Sequence, residues 1–300
     1  MSVRPYRLID AALVGRTQLS PHMARLTFGG PQVARVKTGA PDQRIKIFFP
    51  GPSGETVVPD ENGDWLARYK ASDPARRPAM RTYTIREMRA DRAEMDVDFV
   101  LHGETGPASR WALNAKLGDP VQITAPNADW SGDPAGYEWR PPADVSDVLL
   151  IADETALPAA AGIIEQLQTW PRRPRVQAFL EVPEPEDALP LPRWPGLELT
   201  WLPRGCGVHG ARMITAAREA LVPAGRPLVM AEADGALPEV DIETQILWDR
   251  AATATAGFYA WVAGESAAVM AIRRHLIQDR GLDRSCVNLM GYWRLGRVLE

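Results

Sequence analysis

Two strand patterns share this chain, and together they restrict its fold more than any single motif does. In the first half the clearest strand is "EMDVDFVLH" at 94–102. There Met95, Val97, Phe99 and Leu101 face one way, and Asp96, Asp98 and His102 the other. Alternation of this kind marks a strand with one buried face. "RIKIFFP" sets Ile45 and Ile47 opposite Arg44 and Lys46, and "ARLTFGG", "RTYTIREM" and "PVQITAPN" add further short strands. Gly and Pro punctuate the gaps between them. With one short helix near "GPASRWALNAK", this half predicts a closed antiparallel barrel.

The second half follows another rule. "DVLLIAD" is apolar without alternation, as a strand covered on both faces should be. The helical stretch "ALPAAAGIIEQLQ" follows it. Then come "RVQAFLEV", "LELTWLPR", the helix "ARMITAAREALV", the strand "FYAWVAGE", the helix "SAAVMAIRRHLIQDRG" and a last strand, "CVNLMGYWR". In the last of these helices Val269, Ile272 and Leu276 repeat on one face, and Gly281 is placed to end it. Strand–helix alternation predicts an open parallel sheet with covering helices. The 300 residues suit two domains, 1–140 and 141–300, joined through "DWSGDPAGYEWRPPAD". Residues 223–250 receive no assignment.

Composition narrows the function. A formal net charge of −4 gives no basic footprint for nucleic acid. Cys206 and Cys286 are far apart, and no Cys/His cluster has metal-ligand spacing, so no metal site is expected. No apolar run is long enough to span a bilayer, and the first residues lack a secretory h-region, so a cytoplasmic location is expected.

Chemistry enters at "RTYTIRE", 81–87. Arg81 offers a cation for phosphate, Tyr83 an aromatic plane, and Thr84 a hydroxyl beside a backbone amide. These are the contacts a flavin nucleotide needs, and they are also what an exposed strand of β-formers would carry. Some twenty residues on, "HGETGPASRWA" sets Pro107 at the first position of a helix whose opening turn is small. Such a turn leaves amide N–H groups and the positive end of the helix dipole open to a phosphate.

R-x-Y-T followed by H-G-x-x-G-P-A-S-x-W-A resembles the FAD-binding half of the siderophore-interacting proteins, the flavin-dependent ferric-siderophore reductases. These share their architecture with the ferredoxin–NADP reductases. The resemblance continues through "DETALPAAAGIIEQL", "WVAGESAAVMAIRRHL" and "GYWRLGR", five segments in order over nearly the whole chain. It implies an all-β plus α/β fold: an N-terminal antiparallel Greek-key FAD-binding barrel, then a Rossmann-like parallel-sheet NAD(P)-binding domain. It implies that Arg81, Tyr83 and Thr84 hold FAD through its pyrophosphate, ring and N5 edge. Phe99, Val100 and His102 would line the flavin or its ribityl and adenine ends. Gly106, Ala108 and Ser109 would give amide and hydroxyl contacts to the pyrophosphate, with Trp111 as packing.

In the second domain the first strand-to-helix turn lacks G-x-G-x-x-G. The resemblance places Asp153, Glu154 and Thr155 toward the nicotinamide and ribose, with Gly264 and Glu265 closing over that side. Thr155 is also an expected helix N-cap. Glu181 ends the second strand, where an acid selects NADH through ribose hydroxyls. Arg204 ends the third, where the superfamily places an arginine on the 2′-phosphate of NADPH. The expectation leans to NADPH, with NADH as the other donor.

A hydride carries two electrons and Fe(III) accepts one, so a flavin is the adapter the reaction requires. A ferric siderophore brings its own ligands, so the protein needs basic side chains rather than a metal site. Lys46 is the first candidate for an anionic chelate, and Arg294 and Arg297 the next. Asn127 stands where many relatives have an arginine. Two other readings remain at this point. One is a flavin reductase exchanging electrons with a ferredoxin-like protein partner. The other is a siderophore-binding protein without catalysis.

Overall fold

The computed structural model describes residues 3–50, 65–74, 76–104, 106–223, 246–252 and 257–297. The chain forms two compact units, Met1–Tyr137 and Glu138–Leu299. Most of the stretch left unassigned from sequence, 223–250, falls outside the described residues.

The first unit contains β1 (Tyr6–Ser20), β2 (Met23–Gly29), β3 (Arg44–Phe49), α1 (Trp65–Ala71), β4 (Ala79–Thr84), β5 (Glu87–Arg89), β6 (Glu94–Val100), α2 (Pro107–Asn114) and β7 (Pro120–Pro126). Its seven strands run β4-β3-β7-β1-β2-β6-β5, each antiparallel to its neighbours. The two edges are β4 and β5, which are consecutive pieces of one bent strand. Between them the Ile85 N–H donates to the Gln43 carbonyl (2.9 Å) and the Arg86 N–H to the Asp96 carbonyl (2.8 Å). The sheet therefore curls into a barrel whose seam is the bend at 85–86. The inward residues Ile45, Ile47, Met95, Val97 and Phe99 are buried with Leu26, Phe28 and Ile123 in one apolar core.

Helix α1 was not expected from sequence. It lies outside the barrel, with Trp65 and Tyr69 packed on the outward ring of Phe48 at 5.5 and 5.6 Å between centroids. Asp96 and Asp98 do face away from Met95, Val97 and Phe99, yet both are buried. Arg89 forks onto Asp96 (2.7 and 2.8 Å) and Arg25 onto Asp98 (2.7 and 3.0 Å). Buried carboxylates survive only with such partners.

The second unit contains β8 (Asp147–Ala152), α3 (Leu157–Thr169), β9 (Arg175–Val182), β10 (Leu197–Pro203), α4 (Ala211–Glu219), β11 (Trp248–Asp249), β12 (Phe258–Glu265), α5 (Ser266–Arg273) and β13 (Val287–Trp293). The sheet order is β10-β9-β8-β12-β13-β11, parallel throughout except for β11 at the edge. Apart from β11, the order reverses between β8 and β12. That is the switch point where open α/β sheets bind ligands at the carboxyl ends of their strands. Helices α4 and α5 cover one face through Met213, Ala217, Val269, Ile272 and Leu276, and α3 packs on β8. A π-turn over Arg274–Asp279 extends α5, and Gly281 follows with φ +66°. Among the described residues no helix is long and apolar enough to cross a membrane.

Candidate functional site

In the barrel unit, register decides which of the expected residues share a face. Arg81 pairs with Ile47 and Tyr83 with Ile45, while Thr82 pairs with Lys46. Arg81 and Tyr83 therefore lie on the face of the inward isoleucines, both half-buried. The Tyr83 ring rests against Phe99, with centroids 4.2 Å apart, and burial pushes its hydroxyl above the ordinary range. Arg81 donates Nη1 to the Met80 carbonyl (2.8 Å), and among the described residues it forms no ion pair. Arg25, Arg86 and Arg89, by contrast, are all held by Asp98 or Asp96. Among the described residues, then, the Arg81 charge has no ion-pair partner, and it lies beside a half-buried aromatic ring. Thr84 is buried and sits across from Arg44.

Helix α2 packs against β3, β4 and β6. It starts on an extended Gly106 with Pro107 next, and Gly106 has no side chain to cap it. The first-turn amides of an α-helix have no acceptor within the helix. The Ser109 hydroxyl donates to the Gly103 carbonyl (2.6 Å) and accepts from the His102 N–H (3.3 Å). It is spent on the preceding turn, so what Ser109 retains for a phosphate is its backbone N–H. A Cβ on Gly106 would lie 3.8 Å from His102 Cε1, so the imidazole stands beside the helix start. Phe99 is wholly inside the core, Val100 is half-buried, and Ala108 is buried. Trp111 stacks on Phe28 at 6.1 Å and serves packing.

Lys46 is not brought together with Arg81 and Tyr83. It lies on the outward face, its Nζ 3.3 Å from Thr82 Oγ1. Burial, and after it the Arg44 charge, pull its ammonium below the ordinary value. Asn127 is buried and bonded to the Arg4 carbonyl (3.0 Å).

In the α/β unit the strand ends at the switch point close onto one another. Asp153, after β8, is buried. Its Oδ1 accepts from the Thr155 N–H (2.9 Å), the Thr155 hydroxyl (2.6 Å) and the Ala156 N–H (3.3 Å). Its Oδ2 accepts from the Glu265 N–H (2.8 Å) and from Trp293 Nε1 (2.7 Å). Burial and then the Glu154 charge push the Asp153 carboxyl up to about 7, against the pull of those donors. The expected Thr155 cap is corrected here. Helix α3 begins one residue later, on an Ala156 N-cap, because the Asp153 carboxylate already takes the amides of Thr155 and Ala156. Gly264 lies against Asp153, where a Cβ would come within 2.6 Å of Oδ2. Glu265 caps α5 through the Ala267 and Ala268 amides and receives Arg294 Nη1 at 3.0 Å. Arg294 is thereby held at the head of α5, whereas Arg297 sits in an exposed turn.

The two residues weighed for donor choice are tied to each other. Arg204 binds Glu154 through both terminal nitrogens (2.9 and 2.8 Å) and Glu181 through Nη1 (3.0 Å). Arg204 is 9% exposed and Glu181 0%. The expectation that Arg204 reaches a 2′-phosphate meets a guanidinium already turned inward onto two carboxylates.

Known proteins bear on the whole length. Residues 12–130 match the model of the siderophore-interacting FAD-binding domain, and residues 145–296 that of the siderophore-interacting protein. An uncharacterized protein of Mycobacterium tuberculosis is 31% identical over 100% of this chain and 94% of its own. The ferric vibriobactin reductase ViuB of Vibrio cholerae is 29% identical over 98% and 91%. The crystal structure of a siderophore utilization protein from T. fusca superposes with a TM-score of 0.73 at 29% identity, over 99% of this chain and 96% of that one. An antiparallel barrel whose Arg81 forms no ion pair among the described residues and sits near Tyr83, a parallel sheet with its switch point at Asp153 and Gly264, and these matches agree: the chain belongs to the siderophore-interacting protein family.

Proposed function

We propose that this protein is a ferric-siderophore reductase that passes electrons from a nicotinamide dinucleotide through FAD to siderophore-bound Fe(III), releasing Fe(II). The observation that carries the reading is Arg81. It is half-buried and unpaired among the described residues, two positions from Tyr83 on the same face of β4, a strand that α2 packs against. A charge in that state calls for an anion, and the adjoining ring and open amides fit a flavin nucleotide.

When bound, FAD supplies the exchange of a two-electron hydride for one-electron steps. Arg81 neutralises the pyrophosphate, together with the amides of Ala108 and Ser109. Tyr83, backed by Phe99, offers the isoalloxazine a fixed aromatic wall, and Thr84 holds the N5 edge. Val100 and His102 line the ribityl and adenine side near Gly106. Asp153, Thr155, Gly264 and Glu265 shape the floor at the strand ends where the dinucleotide docks. Lys46 and Arg297 provide cationic contacts for an anionic chelate, and Arg294 acts through Glu265. The proposal includes a cytoplasmic location, where the dinucleotide is at hand.

The deciding experiment is a ferrous-trap assay on flavin-loaded protein with NADH or NADPH and a panel of ferric siderophores, without a protein partner. Fe(II) should accumulate only with both dinucleotide and FAD present. A chain that stays colourless in excess FAD would refute the reading. Turnover that appears only on adding a ferredoxin-like carrier would transfer it to electron exchange with a protein.

A further inference from the structure

The loop between β10 and α4 reads Gly205-Cys206-Gly207-Val208-His209-Gly210, a G-x-G-x-x-G run between a parallel strand and the helix it feeds. In dinucleotide folds such a run lets backbone approach a phosphate at a helix N-terminus. Here it follows the third strand of the domain rather than the first. Its last glycine serves packing: with φ +76°, a Cβ on Gly210 would stand 2.1 Å from Ala268 Cβ, so α4 and α5 approach closely there. Gly205 to Val208 are exposed.

What lies beneath this loop has the wrong sign for a phosphate. Glu181 takes the Gly210 N–H through Oε1 (2.8 Å), which consumes the amide at the head of α4. The same oxygen holds Arg204, whose other contacts go to both oxygens of Glu154. The second oxygen of Glu181 is buried and has no hydrogen-bond partner among the described residues. Two carboxylates against one guanidinium leave one net negative charge, enclosed where screening by solvent is weak. His209 Nδ1 is 3.9 Å from Glu154 Oε1, too far for a hydrogen bond. For Arg204 to serve a phosphate it would have to abandon two buried carboxylates, and a buried charge stripped of its partner is strongly unfavourable.

We propose that the Glu154–Arg204–Glu181 cluster is a specificity device that disfavours a 2′-phosphate, so that the electron donor is NADH. The proposal rests on the functional reading above, in which a nicotinamide dinucleotide docks at the carboxyl ends of the parallel strands. In this proposal the cluster acts on the charge of the ribose 2′ substituent, from Glu181 and Arg204 at the carboxyl ends of the domain's second and third strands. It reverses the donor that an arginine after the third strand suggests.

Binding can be measured without turnover. Flavin-loaded protein is titrated by calorimetry with ADP-ribose and with 2′-phospho-ADP-ribose, neither of which carries the nicotinamide. The expected result is tighter binding of ADP-ribose, by about tenfold or more. Glu154→Gln removes one buried negative charge and releases one arm of Arg204. It should narrow that ratio about tenfold, mainly by improving the 2′-phosphorylated ligand. Equal or tighter binding of 2′-phospho-ADP-ribose by the native chain would overturn the inference and leave the proposed function standing. Binding of neither ligand to a protein that holds its flavin would overturn both. The native comparison alone decides, so the outcome does not depend on how well the variant folds.

Discussion

Gly264→Ala tests the packing at the switch point. Strand β12 reaches Gly264 with φ +155°, and a Cβ there would lie 2.6 Å from Asp153 Oδ2, 2.8 Å from its Cγ and 3.3 Å from its Cβ. Separations of that kind are not sustained, so the carboxylate or the strand must move. Asp153 has little room to yield, because five donors from Thr155, Ala156, Glu265 and Trp293 converge on it. Overpacking a tight site costs about 1–3 kcal/mol, and losing a hydrogen bond to a charged group about 1.5–3 kcal/mol. Taking one of each, the variant should lose about 2.5–6 kcal/mol in the α/β unit. Denaturant unfolding followed by fluorescence reads this as a lower midpoint with an unchanged slope. The transition of the barrel unit serves as internal reference. A loss of under about 1 kcal/mol would show that the carboxylate moves at little cost, and the account of a closed switch point would fail.

Arg81→Ala should release FAD, read as loss of flavin absorbance after gel filtration, and full retention would contradict the role given to that charge. Lys46→Ala should keep its flavin, since Lys46 points away from Arg81 and Tyr83. It should raise the KM for an anionic ferric chelate, an effect that fades with added salt; unchanged kinetics would reduce Lys46 to a surface cation. Asp153, held near 7 in the folded chain, binds its proton more tightly than an unfolded carboxyl does. Stability from this group is therefore full below about pH 4 and is lost as pH rises to about 7, by up to about 4 kcal/mol. Unfolding midpoints across that range should show the slope in the native chain and a flatter one in Asp153→Asn. A native midpoint that climbs from pH 4 to 7 while the variant's stays level would count against it.

Much of this was legible from the chain because period and punctuation are local properties. The face assignments at 94–101 and 44–47 follow directly from alternation, as does the apolar run of β8. Alternation gives a side, however, and not a degree of exposure. Asp96 and Asp98 read as outward and are buried, because the arginines that cover them lie on other strands or across a turn. Helix α1 offers only Trp65 and Tyr69 at one-turn spacing, too short a pattern to distinguish from a loop. Thr155 has the chemistry of a helix cap, but its competitor, the Asp153 carboxylate two residues earlier, is set in place by Glu265 and Trp293, which are distant in sequence. The deeper gap concerns Arg204. Sequence places an arginine and a glutamate after adjacent strands, but whether they meet each other or a ligand depends on a third residue, Glu154, fifty positions away. The G-x-G-x-x-G run at 205–210 is plain in the sequence, but it follows the domain's third strand, whereas the dinucleotide fingerprint belongs after the first.

The barrel seam has a consequence for how this unit can change over evolutionary time. One bent segment closes the ring by hydrogen-bonding to β3 on one side and to β6 on the other, with Ile85 and Arg86 as the joint. A one-residue insertion or deletion there would turn the outward residues of one ladder inward while leaving the other in place. Most connecting segments drift in length without penalty. This one has its length locked at both ends, so descendants of this barrel should vary in which side chains occupy the joint and never in how many.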